Sequence, residues 1–293
     1  GNQITKVSGI INGTTNYILS RMEKEGVDYG DVLKDAQALG YAESDPAADV
    51  EGSDAADKIA ILSGLAFGGA IDRSHIPTKG INHLEAVDVN YAKKLGYGIK
   101  LLAISEKDKA QSKQGESQPL SIWVEPTLVP ENNPLAGVNG VNNAILVEGN
   151  PIGQVMFFGP GAGSGPTASA VVADILNIAG IHSMSENNIF NLDPLLSAKS
   201  WRSCHVAEKK QITKKNYIRL IAKDCPGVIG EIGSIFGKKE ISIESIVQFD
   251  VTDKEAEIVV ITHMIRQGQL DDALLDIENL SQVKRIAATM GCL

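Results

Sequence analysis

Apolar positions recur at helical spacing in the first part of the chain and at alternating or continuous spacing further on. In ITKVSGIINGTTNYILSRMEKEG a strand-like apolar run ends at Asn12-Gly13. Thr14 or Thr15 then caps a helix that carries Ile18 and Met22 and stops at Gly26. A second predicted helix follows Asp28, with Val32, Leu33, Ala36 and Leu39 on one face and Gly40 at its end. A third starts at Ser53 as N-cap, carries Ala55, Ile59, Leu62 and Ala66, and ends at Gly68. Pro46 and Gly52 argue for a loop between the second and third. The stretches KLGYGIKLLAISEK and LSIWVEPTLVP are predicted strands separated by polar KDKAQSKQGESQP. AILVEGNPIGQVMFFG divides into two strands about a turn at Glu148-Gly149-Asn150-Pro151. The glycine-rich GPGAGSGPTASAVVADILNIAG then enters a helix from Pro166 or Thr167 to Gly180.

The tail has a different rhythm. YIRLIAK, GVIGEIGSIFGKKE, ISIESIVQF, EAEIVVITHMI, QLDDALLDIENL and VKRIAATM alternate as strand, helix, strand, strand, helix, strand. This βαββαβ order predicts a four-stranded ferredoxin-like sheet with two helices on one face. The fold class expected is therefore α+β. A mixed sheet with helices packed on it spans residues 1–205, the basic and weakly patterned run 206–215 is a linker, and the small ferredoxin-like unit spans 216–293.

Composition narrows the partners. The chain of 293 residues has a formal net charge of -9, which argues against nucleic acid and for small molecules or other subunits. Cys204, Cys225 and Cys292 are odd in number and widely separated, so a reducing cytoplasm fits better than a disulfide framework. The first residues show no signal-peptide pattern. The most apolar helical stretch, IAILSGLAFGGAI, is shorter than the roughly 18 residues of a membrane span, so no membrane partner is expected. The histidines are scattered without ligand spacing, and no metal site is predicted.

One stretch has more carboxylates than its neighbours can neutralise. GYAESDPAADVEGSDAADK places Glu43, Asp45, Asp49, Glu51, Asp54 and Asp57 beside a single base, Lys58. Asp54 and Lys58 are a helical i,i+4 pair, which stabilises a helix by roughly 0.2–0.5 kcal/mol with no function implied. An acidic loop is also compatible with a solvated face or with calcium, although the EF-hand spacing is absent. The chemical alternative is that carboxylates receive the ammonium of an amino acid, while a lysine fixed by Asp54 and Asp57 stabilises a developing alkoxide or moves a proton at a hydroxyl.

NGTTNYIL, GYAESDPAADVEGSDAADK and GPGAGSGPTASAVVADIL, in that order, resemble the catalytic domain of homoserine dehydrogenases, and the tail with KDCPGVIGEI resembles the ACT domain of bacterial members. The resemblance covers nearly the whole chain. It implies an oxidoreductase that interconverts L-homoserine and L-aspartate 4-semialdehyde with NAD or NADP, on the route to threonine, isoleucine and methionine. It further implies Lys58 as the acid–base group, Glu43 as the holder of the substrate ammonium, and Asp49 and Asp54 as acids that complete the pocket and orient the lysine. Tyr41 and Thr14 match substrate-side loops, and Gly163 matches a backbone contact to the dinucleotide.

The ACT resemblance implies subunits paired as a homodimer or homotetramer. It also implies an amino-acid effector, with threonine the natural candidate, near Asp224, Gly227 and Val228. Without the resemblance, Asp224 to Val228 reads first as plain strand–helix punctuation. Members of the family begin with a Rossmann domain, yet no strand–GxGxxG–helix unit occurs before residue 9. The chain is therefore expected to comprise the substrate and regulatory parts without the nucleotide-binding part, and not to oxidise homoserine by itself. The other function class carried forward is a non-catalytic amino-acid-binding regulatory module.

Overall fold

The computed structural model describes residues 2–107, 119–185, 202–252 and 254–293. The polar connection at 108–118 and the mixed segment at 186–201 lie outside the described residues.

The first half is an α+β layer. Strand β1 (Gln3–Ile10) leads into α1 (Gly13–Glu25), α2 (Tyr29–Ala38), the short α3 (Ala47–Val50) and α4 (Ser53–Phe67). A two-residue strand β2 (Gly69–Ala70) and α5 (Ala86–Lys94) precede β3 (Tyr97–Lys107), β4 (Leu120–Pro130), β5 (Asn142–Asn150), β6 (Gly153–Pro160) and α6 (Ser164–Ser185). The short β7 (Arg202–Ser203) pairs with β2. The second half is β8 (Thr213–Lys223), α7 (Val228–Lys238), β9 (Ile243–Thr252), β10 (Glu255–Thr262), β11 (Ile265–Arg266), α8 (Gln267–Glu278) and β12 (Val283–Cys292). Apart from the two-residue β11, its order is the βαββαβ expected.

Both halves share one sheet, in the order β6-β5-β1-β3-β4-β12-β8-β10-β9, with β11 on β8. The junction is the parallel pairing of β12 with β4, which lasts for only two residue pairs, Gly291 with Thr127 and Cys292 with Leu128. The stretch 206–215 contributes a bridge from Val206 to Leu120, a 3-10 turn at Lys209–Gln211 and the first residues of β8. Alternation along β8 sends Ile218, Leu220 and Ala222 toward α7 and α8, and Tyr217 and Arg219 toward the first half. Both faces of the ferredoxin-like sheet are therefore covered. Tyr91 of α5 stacks on Phe249 of β9 with centroids 4.0 Å apart.

Several local expectations shift. The N-cap of α1 is Asn12, whose side chain accepts from Thr15 N; Thr14 and Thr15 are already helical. The acidic loop contains α3, started by Pro46 and by Asp45 accepting from Ala47 N. The N-cap of α4 is Gly52, at φ 86, because a Cβ there would lie 3.2 Å from Thr78 Cγ2 and the backbone is left-handed. Ser53, expected as the cap, is the first helical residue. Helix α6 runs past Gly180 to Ser185. Its apolar residues, including Leu176 and Ile178, are exposed, as are Phe157 and Phe158 on the edge strand β6.

Candidate active site

The acidic loop resolves into several separate assignments, and Asn12 organises the central one. Asn12 is buried at the junction of β1 and α1. Its Oδ1 accepts from Thr15 N, which leaves the amide nitrogen as donor. Nδ2 donates to Asp49 Oδ1 at 2.7 Å and to Asp54 Oδ2 at 2.9 Å. The same Asp54 Oδ2 accepts from Lys58 Nζ at 2.7 Å, and Lys58 also donates to the carbonyl of Ile11 at 3.2 Å. One buried amide thus separates two carboxylates that would otherwise repel, and aims one of them at the lysine. The Lys58 side chain remains 48% exposed, so its ammonium is anchored but accessible.

The other acids diverge. Asp57, expected beside Lys58, instead accepts from Arg73 Nε at 2.8 Å, because it occupies another face of α4. Glu43 is exposed, and its carboxylate has no partner among the described residues. Its position is set through the backbone, where Gln37 Nε2 donates to the Glu43 carbonyl at 3.0 Å. Thr14 Oγ1 donates to the Tyr41 carbonyl at 2.8 Å, and the Tyr41 ring lies 4.9 Å from that of Tyr17. Thr14 and Tyr41 are thereby joined, as are Asp49, Asp54 and Lys58. No direct contact joins Glu43 to Lys58.

Lys58 stands on the wall of a cavity of about 480 Å³ that also includes Ile11, Asn143, Phe158 and Gly161. A volume of that order suits a small metabolite or part of a cofactor. A side chain at Gly161 would displace that of Asn143, because a Cβ would sit 1.9 Å from Asn143 Nδ2. The Asn143 Oδ1 is buried and has no hydrogen-bond partner among the described residues. Gly163 adopts φ 121 and its carbonyl receives Thr167 N in the first turn of α6. The Gly161–Gly163 turn and the helix start offer backbone N–H groups to an anion. A glycine turn at a helix start, an unsatisfied amide oxygen and an accessible lysine are chemically compatible with part of a dinucleotide. Asn12 and Asn143 were missed in the sequence. The only signal for Asn12 was its place between a strand and a helix, and Asn143 had none.

In the second half, Gly227 is the N-cap of α7 at φ 97, and Val228 is its first, buried residue. Pro226 precedes the cap. Asp224 accepts from Gln248 Nε2 at 3.1 Å, and its N–H donates to the Lys254 carbonyl. Among the described residues no helix is long and apolar enough to cross a membrane, and no group of three or more His, Cys, Asp or Glu side chains is arranged to hold a metal.

The homoserine dehydrogenase profile matches residues 1–176, and the ACT domain profile matches residues 216–282. The chain belongs to the homoserine dehydrogenase family. It is 50% identical over its whole length to a homoserine dehydrogenase of Synechocystis, covering 66% of that protein. It is 41% identical over 97% of its length to that of Neisseria gonorrhoeae, covering 63%. The crystal structure of the Thiobacillus denitrificans homoserine dehydrogenase superposes over the entire chain with a TM-score of 0.91 at 37% identity, and 64% of that chain is covered. The chain thus spans about two thirds of the length of the family members it matches. The α+β architecture and the C-terminal ACT domain are shared with this family.

Proposed function

We propose that this chain carries the substrate-binding and acid–base machinery of an NAD- or NADP-dependent homoserine dehydrogenase, with residues 1–205 as the substrate domain and 216–293 as the regulatory domain. The carrying observation is the Asn12-centred array, in which Asp54 holds Lys58 at 2.7 Å on the wall of a cavity shared with Gly161. Glu43, Asp49 and Asp54 provide negative charge for the ammonium of L-homoserine or L-aspartate 4-semialdehyde, and the loop fixed by Thr14 and Tyr41 shapes the entry. When the aldehyde is reduced, the Lys58 ammonium stabilises the developing alkoxide and gives it a proton; in the reverse direction Lys58 takes the proton from the hydroxyl. The cofactor supplies the hydride acceptor or donor when bound. Gly161, Gly163 and Asn143 are the residues of this chain that would hold part of it.

We assign this chemistry to threonine, methionine and isoleucine biosynthesis, and a cytoplasmic setting is supported by the three free cysteines. We assign the exposed apolar residues of β6 to pairing of subunits, because an edge strand that presents Phe157 and Phe158 to solvent is a ready association surface. The turn at Asp224, Gly227 and Val228 is assigned to an amino-acid effector, threonine. Calorimetry that gave no heat with threonine, isoleucine, methionine or lysine would remove that assignment.

The substrate assignment is tested by calorimetric titration with L-homoserine. Glu43→Gln is expected to weaken binding about tenfold or more, since it removes a charge-assisted hydrogen bond worth ~1.5–3 kcal/mol. Lys58→Met is expected to leave binding within a few-fold and, in the protein extended to the length of its relatives, to abolish turnover. Unchanged homoserine affinity in Glu43→Gln would overturn the assignment.

A further inference from the structure

Strands β4 and β12 meet for two residue pairs and then part. On the β4 side the opening is taken by residues 77–79. Thr78 bridges Val124, Lys79 N donates to the Val124 carbonyl at 2.8 Å, and Val124 N donates to the Pro77 carbonyl at 2.9 Å. On the β12 side, Lys79 Nζ donates to Thr289 O at 2.6 Å and to Thr289 Oγ1 at 2.9 Å. A cavity of about 450 Å³ occupies this fork, between the substrate half and the ACT half, and it is lined by none of the residues of the Lys58 cavity.

The charges around the fork are unbalanced, although the chain as a whole is acidic at -9. Lys79, Lys209 and Lys214 line it with Glu125 and Asp271. Lys214 is paired with Glu125, and Asp271 accepts from Gln267 at 2.7 Å. The hydrogen bonds of Lys79 go to neutral oxygens, and Lys209, exposed at the rim, has no ion pair or side-chain hydrogen bond among the described residues. Two ammonium groups and the Asp271 carboxylate have no ion pair among the described residues, so the lining carries one net positive charge. Burial lowers the pKa of Lys79; Glu125 offsets part of that, while Lys214 and Lys209 add to it. The rest of the wall mixes polar Thr78, Asn216 and Gln267 with apolar Leu270 and Leu274 of α8 and Met290 of β12.

We propose that this fork is a binding site for a small organic carboxylate with a branched aliphatic body. The carboxylate is received by Lys79 and Lys209, and the hydrocarbon lies against Leu270, Leu274 and Met290. A pocket that sets a few convergent charged groups beside apolar side chains is the usual form of such a site, and a half-buried ammonium gains from a charged acceptor. The site also adjoins the acidic loop. The chain passes from Lys79 to Gly80, where a Cβ would lie 2.1 Å from the Val50 carbonyl, and Ile81 N donates to that carbonyl at 2.8 Å.

The probe is 4-methylpentanoate, titrated calorimetrically into the chain beside two controls. 4-Methylpentanamide keeps the shape without the charge, and acetate keeps the charge without the body. The carboxylate is expected to bind at least tenfold more tightly than either control, and hydrogen exchange is expected to slow at the Lys79 and Val124 amides. Lys209→Glu, at an exposed position, is expected to keep the melting temperature and lose at least tenfold in affinity. Lys79→Gln is expected to lose as much. Absence of heat from 4-methylpentanoate, equal affinity for the amide, unchanged affinity in Lys209→Glu, or protection confined to other amides would each overturn the proposal.

Discussion

Replacing Arg219 with methionine tests how the ACT half is fastened to the substrate half. Arg219 and Asp88 are 1% and 0% exposed in their side chains, and Nε lies 2.7 Å from Asp88 Oδ1. The guanidinium also donates through Nη2 to Asp88 Oδ2 at 3.1 Å and to Glu85 at 2.8 Å, and through Nη1 to Glu257 at 3.3 Å. Burial opposes the charge on Arg219, but its bonds to Asp88 and then Glu85 outweigh that and hold its pKa above the ordinary value. In Arg219→Met the volume is nearly kept, and Asp88 is left in the interior with Tyr217 Oη at 3.3 Å and the Glu85 amide at 3.2 Å. A buried carboxylate deprived of its partner costs ~3–5 kcal/mol.

Urea unfolding followed by tryptophan fluorescence and circular dichroism measures that cost. A stranded carboxylate can escape by taking a proton, whereas lost packing cannot. The deficit is therefore expected to shrink as the pH is lowered from about 7 to about 5, because the native variant then binds more protons than the unfolded chain. The double variant Arg219→Met/Asp88→Leu removes both charges and is expected to recover most of the loss. A deficit below ~1 kcal/mol, or one equal at both pH values, would refute the account.

Asn12→Ala removes the amide that separates Asp49 from Asp54 and the cap of α1. It is expected to cost ~1–2 kcal/mol in denaturant unfolding and to weaken L-homoserine binding, with the binding loss exceeding that of a cap replaced elsewhere. Gly80→Ala drives a Cβ against the backbone of Val50 and Glu51, at 2.1 Å and 2.4 Å, so the acidic loop must move; a loss of ~1–3 kcal/mol and of homoserine affinity is expected. Burial, then the charge of Lys79, pushes His83 down to about 4 from the ordinary 6.5. The unfolded chain therefore binds the extra proton first, so this group's contribution is complete above pH 6.5 and lost as the pH falls toward 4. Allowing for the partial exposure of the ring, the loss is ~1–2 kcal/mol, and His83→Gln is expected to flatten the melting curve over that interval. Phe157→Glu is expected to lower the oligomeric state in sedimentation if β6 pairs subunits.

The helices α1, α2 and α4 were legible because their buried faces are apolar at regular spacing, from Ile18 and Met22 to Ala55 and Ile59. The ferredoxin-like order was legible for the same reason. Helix α5 was not anticipated, because its buried face includes Asp88, whose partner Arg219 is 131 residues away. A charged residue at a core position looks like a surface residue until its counter-charge is located. The crowding of acids was visible in the chain, but its resolution was not. Asp54 turns to Lys58 and Asp57 to Arg73 because α4 places them on different faces, and Asp49 joins the first through Asn12. Spacing gave the lysine and the helix beneath it; the buried amide that makes the group coherent depends on where a distant strand ends.

The shared sheet changes what regulation has to accomplish. An ACT unit joined only by a flexible linker could report effector binding only through mass action between separate bodies. Here β12 is paired with β4, Arg219 is buried against α5, and Lys79 joins Thr289 of β12 to the segment that runs directly past Val50. The acidic loop therefore rests, through Ile81 and Gly80, on a segment that is bonded both to Val124 of β4 and to Thr289 of the ACT sheet. Backbone packed this closely resists independent movement, and at Gly80 a Cβ would lie 2.1 Å from the Val50 carbonyl. The effector coupling proposed above would then require no large domain rotation. A ligand that favours one spacing of β4 and β12 over another would act on the Asp49–Asn12–Asp54–Lys58 array with the differential affinity it has for those two spacings, and with no more than that.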